Sequence, residues 1–511
     1  MTSTTFKLLP VVAYALFLAA TNLLVSVKAL PCHKGNLPSA WRPTIRWSNC
    51  SSDDPVGIQC GFITVPLDYE HREHGTLELG MVRLSSTQSP RLGTLFYNPG
   101  GPGGAASDYV LEATLEGSQR FGQTVLRNYD IVGLDPRGVG MSQPVKCDPR
   151  IFNERISSIP TTETGLQTLL DHNQALGESC AELTGPLINY LDTVSVAKDI
   201  ELVRQAINNR EKLNFFGRSY GSLIGQTYAE LFPRNINRMA MDGIVDHTQS
   251  ETATLDEEAT TYEMTMDRFF AWCKNATDCA LYRHDAAAIF DSVIRSAEEK
   301  PLPAPSCLST GACRSDVTGE EIRSNVKGLL FFQDANTGFT GWDTLSRAIA
   351  QAAEGNATLL SSPLATSETF SAFPGLALGC QDWLHESMSL ADLTYKINMA
   401  SATAPRMRGA SRSWYYQSNC LGWPAPTRNP QRRLRHSVLA APPMLLVNSF
   451  YDPSTSIVWA TEIQRQLGDS VLLTRNGSGH TSYQLRGEAA VAIDTFLVEG
   501  ILPRPATVVV S

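Results

Sequence analysis

The 511-residue sequence predicts the α/β class: a mostly parallel, eight-stranded sheet with a large, mainly helical segment inserted after the sixth strand. Three observations carry this. Short apolar runs bounded by Gly, Pro and Asp recur from Gly61 to Val245, and the later ones alternate with stretches of helical periodicity, the pattern of strands joined by crossover helices. From about His247 to His436 the alternation stops and helical stretches dominate. At Pro443 it resumes and runs to the end of the chain.

Taken in order, GFITVPLDYE from Gly61, LELGMVRLSS from Leu77 and GTLFYNPG from Gly93 read as entry strands leading to the sheet centre. Pro99 to Gly104 is a glycine-rich loop, and Tyr129 to Leu134 a buried strand ending at Asp135-Pro136-Arg137-Gly138. Val196, Ile200, Val203 and Ile207 fall at helical spacing, with Lys198, Asp199, Glu201 and Arg204 on other faces; this predicts an amphipathic helix covering the sheet. Leu213 to Phe216 reads as a strand, Ser222 to Leu231 as a helix and Arg238 to Val245 as the next strand. In the insertion, helices are expected around Glu257 to Lys274, Ala286 to Glu299 and Thr344 to Glu354, interrupted by the proline-rich stretch Pro301 to Asp316. Such a segment reads as a lid over the carboxyl ends of the strands, and its basic stretch Arg432, Arg433 and Arg435 as a solvated face. Pro443 to Asn448, Ser456 to Leu467, Val471 to Thr474 and Gly487 to Glu499 complete the pattern as strand, helix, strand and helix. The expected organisation is a leader over 1–29, a core over 30–246, a helical cap over 247–436 and the rest of the core over 437–511.

Lys7 precedes the apolar run from Leu8 to Val27, and Val27-Lys28-Ala29 has small residues where a signal peptidase needs them. We read a signal peptide cleaved near Ala29 and a secreted product. An uncleaved anchor is the other reading of the run, weakened by Pro10, Thr21, Asn22 and Ser26. In an oxidising compartment the 11 cysteines favour disulfides. Neighbour pairing would join Cys50 to Cys60, Cys147 to Cys180, Cys273 to Cys279, Cys307 to Cys313 and Cys380 to Cys420, leaving Cys32 over, although spacing alone does not fix connectivity. Glycosylation sequons at Asn49, Asn275, Asn356 and Asn476 fit the same compartment. The net charge of -9 argues against nucleic acid as a partner. No stable membrane partner, metal or cofactor is expected.

The chemistry centres on Gly217-Arg218-Ser219-Tyr220-Gly221, the chain's only Gly-x-Ser-x-Gly. A chain this long meets that pattern by chance about 0.2 times, so its position matters more than its occurrence: it falls between a strand and a helix, where a sharp turn exposes the serine and glycines remove collisions. A serine hydroxyl needs a base, and the base an orienting acid. His480 follows the last core strand through a Gly-x-Gly loop, and Asp452 lies in the turn after PMLLVNSF. Asp382 and Asp242 are weaker rivals for the acid. Backbone N–H groups to hold an oxyanion are expected from Tyr220, directly after the serine, and from Gly101 in the glycine-rich loop.

VPLDY at Val65 to Tyr69, NPGGPGG at Asn98 to Gly104, DPRGVGMSQP at Asp135 to Pro144, GRSYGS with YAELFP at Gly217 to Pro233, MDGIVD at Met241 to Asp246, and YDPSTS with GSGH near the end occur in one order. In these motifs the chain resembles secreted serine peptidases of the α/β-hydrolase fold, in the proline iminopeptidase group and its tripeptidyl aminopeptidase-like branch. The resemblance covers nearly all of the mature chain. It implies Ser219 as nucleophile, Asp452 and His480 as its partners, the Gly101 region as oxyanion loop, and release of short peptides from free N-termini. Two departures stand out: Ser222 where the family commonly has Thr, and no cysteine in the terminal LPRPATVVVS. Aminopeptidase action also needs carboxylates for the substrate's ammonium. Glu251, Glu257, Glu258 and Asp382 are available, and Glu257 and Asp382 are the two expected to hold it. The substrate is thus a peptide or a small acyl compound; an esterase or lactonase, or a non-catalytic binding protein on the same scaffold, are the rival readings.

Overall fold

The computed structural model describes residues 43–51, 57–115, 118–334, 340–387 and 389–510. The expected leader and Cys32 lie outside these residues. The eight expected strands are all present: β2 (Ile58–Pro66), β3 (Thr76–Leu84), β4 (Gly93–Asn98), β5 (Tyr129–Leu134), β6 (Leu213–Arg218), β7 (Ile236–Asp242), β10 (Leu445–Tyr451) and β11 (Val471–Ser478). Two three-residue strands, β1 (Arg46–Ser48) and β12 (Val508–Val510), extend the edges to a ten-stranded sheet in the order β1-β2-β3-β5-β4-β6-β7-β10-β11-β12. The β1/β2, β2/β3 and β3/β5 pairs are antiparallel and the other six parallel. Every residue of β4 and β6 is buried, as expected of central parallel strands covered on both faces. Their apolar residues therefore run on without alternation.

The helix Thr193–Asn208 covers this sheet, but it is not amphipathic in the expected sense: Asp199, Glu201 and Arg204 are buried along with Val196 and Ile200. Burial of these charges is compensated by pairing. Arg137 Nε and Nη2 each donate to an Asp199 oxygen at 2.7 Å, and Arg204 donates to both oxygens of Glu201 at 2.8 Å.

Between β7 and β10 the chain forms the expected helices Glu251–Asn275, Ala286–Glu299 and Trp342–Ala353, and further ones at Gly319–Leu329, Ala372–Asp382, Leu390–Thr403 and Arg412–Asn419. The first starts six residues earlier than its apolar pattern suggests because Ser250 caps it, its side chain accepting from Ala253 N–H. β8 (Leu302–Pro303) and β9 (Asp316–Val317) form a separate two-stranded sheet in the proline-rich stretch. Apart from Ala372–Asp382, these elements share a core of their own, with Phe269, Phe290, Trp342 and Ile349 fully buried. The helix Glu163–Thr184, which lies before β6 in the chain, joins them through Leu166 and through Asn173 Nδ2, which donates to the carbonyls of Ser418 and Leu421 at 2.9 Å. All five neighbour disulfides form. Arg432 and Arg435 are not simply a solvated face: both pair with the buried Glu230, on the helix that follows Ser219, while Arg433 pairs with Glu462. Asn49, Asn275 and Asn476 are exposed and Asn356 half-buried. Among the described residues no helix is long and apolar enough to cross a membrane.

Candidate active site

β6 delivers Ser219 to the carboxyl edge of the sheet. Its backbone sits at φ 54°, ψ -124°, a conformation that costs an L-residue about 1–3 kcal/mol and is held only by its surroundings. Those surroundings are visible. Ser219 N–H donates to Asp242 O at 2.8 Å, tying the turn to the end of β7, and its carbonyl accepts from Ser222 N–H at 2.8 Å, starting the helix Tyr220–Leu231. Gly217 has no room for a side chain, since a Cβ there would lie 2.3 Å from Gly221 O. The buried Arg218 braces the turn from below, donating to Tyr97 OH at 3.0 Å, Tyr109 OH at 2.9 Å and Thr481 Oγ1 at 3.4 Å. The glycine-rich loop after β4 presses on the same turn: a Cβ on Gly100 would sit 2.9 Å from both Ser219 Cβ and Tyr220 N. Gly101 and Tyr220 line one cavity with Ser219, so both expected oxyanion donors belong to residues beside the hydroxyl.

Asp452 and His480 are joined directly. His480 Nδ1–H donates to Asp452 Oδ1 at 2.8 Å and Oδ2 at 3.1 Å. Asp452 also accepts from Ser454 N–H at 2.9 Å, Thr455 N–H at 2.8 Å and Thr481 N–H at 3.0 Å. Burial alone would push its carboxyl up, but the His480 charge and these hydrogen bonds hold it below the usual carboxylate range. With Nδ1 committed to the acid, the ring's other nitrogen is the one left for a serine. The turns that carry Ser219 and His480 both meet the end of β7: the serine amide bonds Asp242 O, and His480 Cε1 lies 3.5 Å from where a Cβ of Gly243 would be. Arg218 beside the serine reaches Thr481 beside the histidine. Asp242, a rival acid in the sequence, instead accepts Ser482 N–H at 2.9 and 2.8 Å and Tyr483 N–H at 2.8 Å, anchoring the histidine loop to β7.

The two carboxylates chosen for a substrate ammonium do not line the Ser219 cavity. Asp382 is fully buried and its oxygens are taken by Thr193 N–H at 2.9 Å, Thr193 Oγ1 at 2.6 Å, Asn429 Nδ2 at 3.1 Å and the Tyr220 hydroxyl. Glu257 accepts from Gln249 Nε2 at 3.2 Å, one residue short of the cavity wall that Glu258 reaches. The acids that do line it are Asp246, Glu251 and Glu258, together with Arg412, Trp383, Tyr416 and Trp459. Of these, Glu251 and Glu258 were among the acids available in the sequence, Asp246 was visible only as the last residue of MDGIVD, and Trp459 carried no signal. A second, far larger chamber of about 1210 Å³ adjoins the cavity, and Pro102, Arg412 and Tyr416 line both. Cys380, His385 and Cys420 bring three metal-ligand atoms within 4.8 Å, but the two sulfurs are bonded to each other.

Comparison with known proteins agrees with this geometry. Residues 93–306 match the alpha/beta hydrolase fold family and residues 406–509 match the TAP-like protein family. With the serine turn after β6 and the acid and histidine turns after β10 and β11, the chain has the α/β-hydrolase fold. Within that class its sequence is similar to tripeptidyl aminopeptidase from Streptomyces coelicolor, at 27% identity over 488 residues covering 90% of this chain and 85% of the relative. It is likewise similar to serine protease Hip1 from Mycobacterium tuberculosis, at 26% over 489 residues, covering 90% and 89%. Carboxylesterase B from the same species is 24% identical over 495 residues, again covering 90% and 89%.

Proposed function

We propose that the protein is a secreted serine exopeptidase that releases short peptides, of tripeptidyl or prolyl aminopeptidase type, from free N-termini through an acyl-enzyme. The observation that carries this reading is the Asp452–His480 pair at the sheet edge that also holds Ser219 on its strained turn. Ser219 Oγ attacks the scissile carbonyl while His480 Nε2 takes its proton; Asp452 keeps the proton on Nδ1 and stabilises the imidazolium. The N–H groups of Tyr220 and Gly101 receive the oxyanion. His480 then protonates the departing amine, and water repeats the sequence on the ester. The names of the two peptidase relatives and the five disulfides favour a secreted peptidase. The adjoining chamber of about 1210 Å³ exceeds what a small ester occupies and suits a peptide leaving group. An esterase acting on a small acyl compound is the second reading, supported by the aromatic wall of Trp383, Tyr416 and Trp459 and by the carboxylesterase relative.

The test uses purified protein and Ser219→Ala. A fluorophosphonate probe is expected to label the wild type and not the variant. Ala-Ala-Pro anilides with a free amine are expected to turn over faster than their N-acylated forms. Labelling at another residue removes the nucleophile assignment; equal rates on free and blocked amines remove the aminopeptidase reading, and ester turnover without peptide turnover selects the esterase.

A further inference from the structure

Two buried polar atoms in the wall of the Ser219 cavity have no partner: the acceptor Asp246 Oδ2 and the donor Trp459 Nε1. Asp246 is only 1% exposed, and its other oxygen accepts Thr248 N–H at 2.8 Å in its own turn. A turn explains one oxygen and leaves the second. A buried acceptor or donor without a partner is a standing cost to the fold, and here one of each belongs to residues that line the Ser219 cavity, a complementary pair for a ligand.

The charges around Asp246 sharpen the point. The charges that act on it most are Glu462 and Glu257, both acids, and burial and these neighbours raise its carboxyl above the usual range against the hydrogen bonding of Thr248. The cavity's other acids are already matched. Glu251 binds His385 Nδ1, Glu386 N–H and Lys396 Nζ, each at 2.8 Å. Glu258 accepts Ser413 N–H at 2.6 Å and lies in the field of Lys327 and Arg412. Asp246 alone among the three lacks a cation.

Both groups are rigidly set. Asp246 is four residues beyond Asp242, whose carbonyl holds the Ser219 amide. Trp459 lies in the helix Ile457–Gln466, which Ser456 caps just after the Asp452 turn.

We propose that Asp246 and Trp459 form the subsite for the N-terminal unit of the acyl portion: Asp246 Oδ2 accepts from the substrate's free ammonium, and Trp459 Nε1–H donates to a substrate carbonyl oxygen. The proposal rests on the aminopeptidase reading and deepens it. An N-acylated peptide loses the charge that Asp246 needs, and a des-amino peptide keeps the carbonyl that Trp459 needs.

The experiment compares kcat/KM for an Ala-Ala-Pro anilide and its des-amino analogue, propionyl-Ala-Pro anilide, in wild type, Asp246→Asn and Trp459→Phe, with fluorophosphonate labelling of Ser219 as the folding control. Asp246→Asn is expected to lower the free-amine/des-amino ratio by about tenfold to hundredfold, the scale of a charge-assisted hydrogen bond. Trp459→Phe is expected to slow both substrates by a similar factor of about five to ten, leaving the ratio in place. A wild-type ratio in a labelling-competent Asp246→Asn overturns the ammonium assignment, and unchanged rates on both substrates in Trp459→Phe overturn the donor assignment. If Asp246→Asn does not label, Asp246→Glu replaces it: a ratio between those of the wild type and one supports the assignment, and a wild-type ratio overturns it. A wild-type ratio of one is a different failure, that of the aminopeptidase reading itself.

Discussion

Asp382 shows how a residue with the right chemistry can serve the site without touching substrate. It holds the hydroxyl of Tyr220, whose N–H is the expected oxyanion donor, and Thr193 at the head of the helix covering the sheet. Burial pushes its carboxyl up to about 7, with Thr193 and Tyr220 offsetting only part of the penalty. An unfolded aspartate ionises near 3.8, so between about 4 and 7 the folded state binds the extra proton. Its contribution to stability is therefore full below that window and lost as pH rises through it, by at most about 1.4 kcal/mol per pH unit. His247, whose ring bonds the Asp382 carbonyl, works with the opposite sign: burial pushes it down to about 4, and its contribution fades as pH falls from 6.5. Asp382→Asn removes the first effect and keeps the second. Urea unfolding at pH 5, 6 and 7 is expected to show the variant gaining on the wild type as pH rises; parallel curves would refute the assignment. Ser219, Asp452 and His480 stand out in the sequence because each follows a recognisable strand in an expected order, and the structure joins the last two by a hydrogen bond. Asp382 could not be excluded as a substrate ligand, because what occupies its oxygens comes from residues 193, 220 and 429.

At the scale of elements, the strands could be read from runs such as LNFF and LLVN because buried parallel strands need nothing but apolar residues on both faces. The helix Thr193–Asn208 was harder to read. Its charges look like a solvent face only while their partners are unknown, and the partner of Asp199 is 62 residues away, in the DPRG turn after β5. Arg137 also donates to Leu67 O at 2.8 Å, Tyr190 O at 2.9 Å and Pro66 O at 3.2 Å, so one planar side chain clamps the end of β2, the turn before the helix and the helix itself. Replacing it leaves three carbonyls without this donor and a buried carboxylate without its cation, held, among the described residues, only by the Tyr69 hydroxyl at 2.7 Å. Arg137→Met is expected to cost about 3–5 kcal/mol in urea unfolding, and Arg137→Lys to recover little because an ammonium lacks the fork. The double change Arg137→Met with Asp199→Leu removes the orphaned charge and is expected to be more stable than the single one. A loss under 1 kcal/mol in Arg137→Met would mean the clamp is not structural.

For the whole molecule, the break in alternation after β7 announced the inserted helices, since among the described residues nothing between 247 and 436 adds a strand to the ten-stranded sheet. That the helix Glu163–Thr184 packs with them was hidden, because its docking depends on contacts with residues 418 and 421. A lid is expected to control access alone, yet here the insertion grips the turns that carry the acid and the base. Thr261 Oγ1 donates to Pro453 O at 2.7 Å, one residue from Asp452. Arg268 Nε donates to Ser478 Oγ at 2.7 Å with its guanidinium 3.7 Å from the Tyr451 ring centre. His480 N–H donates to Phe331 O at 2.7 Å. Small displacements of reacting groups cost large factors in rate, so loosening this grip is expected to act on the chemistry whatever the size of the substrate. Thr261→Val and Arg268→Ala, at positions that do not line the cavity, are expected to lower kcat for p-nitrophenyl acetate by about tenfold, with KM for that ester little changed. A pure gate predicts the contrary: acetate ester hydrolysis at the wild-type rate, with only long peptides affected. Stopped-flow release of p-nitrophenol separates the two, because positioning slows the acylation burst itself, whereas gating leaves the burst intact for an ester small enough to enter freely.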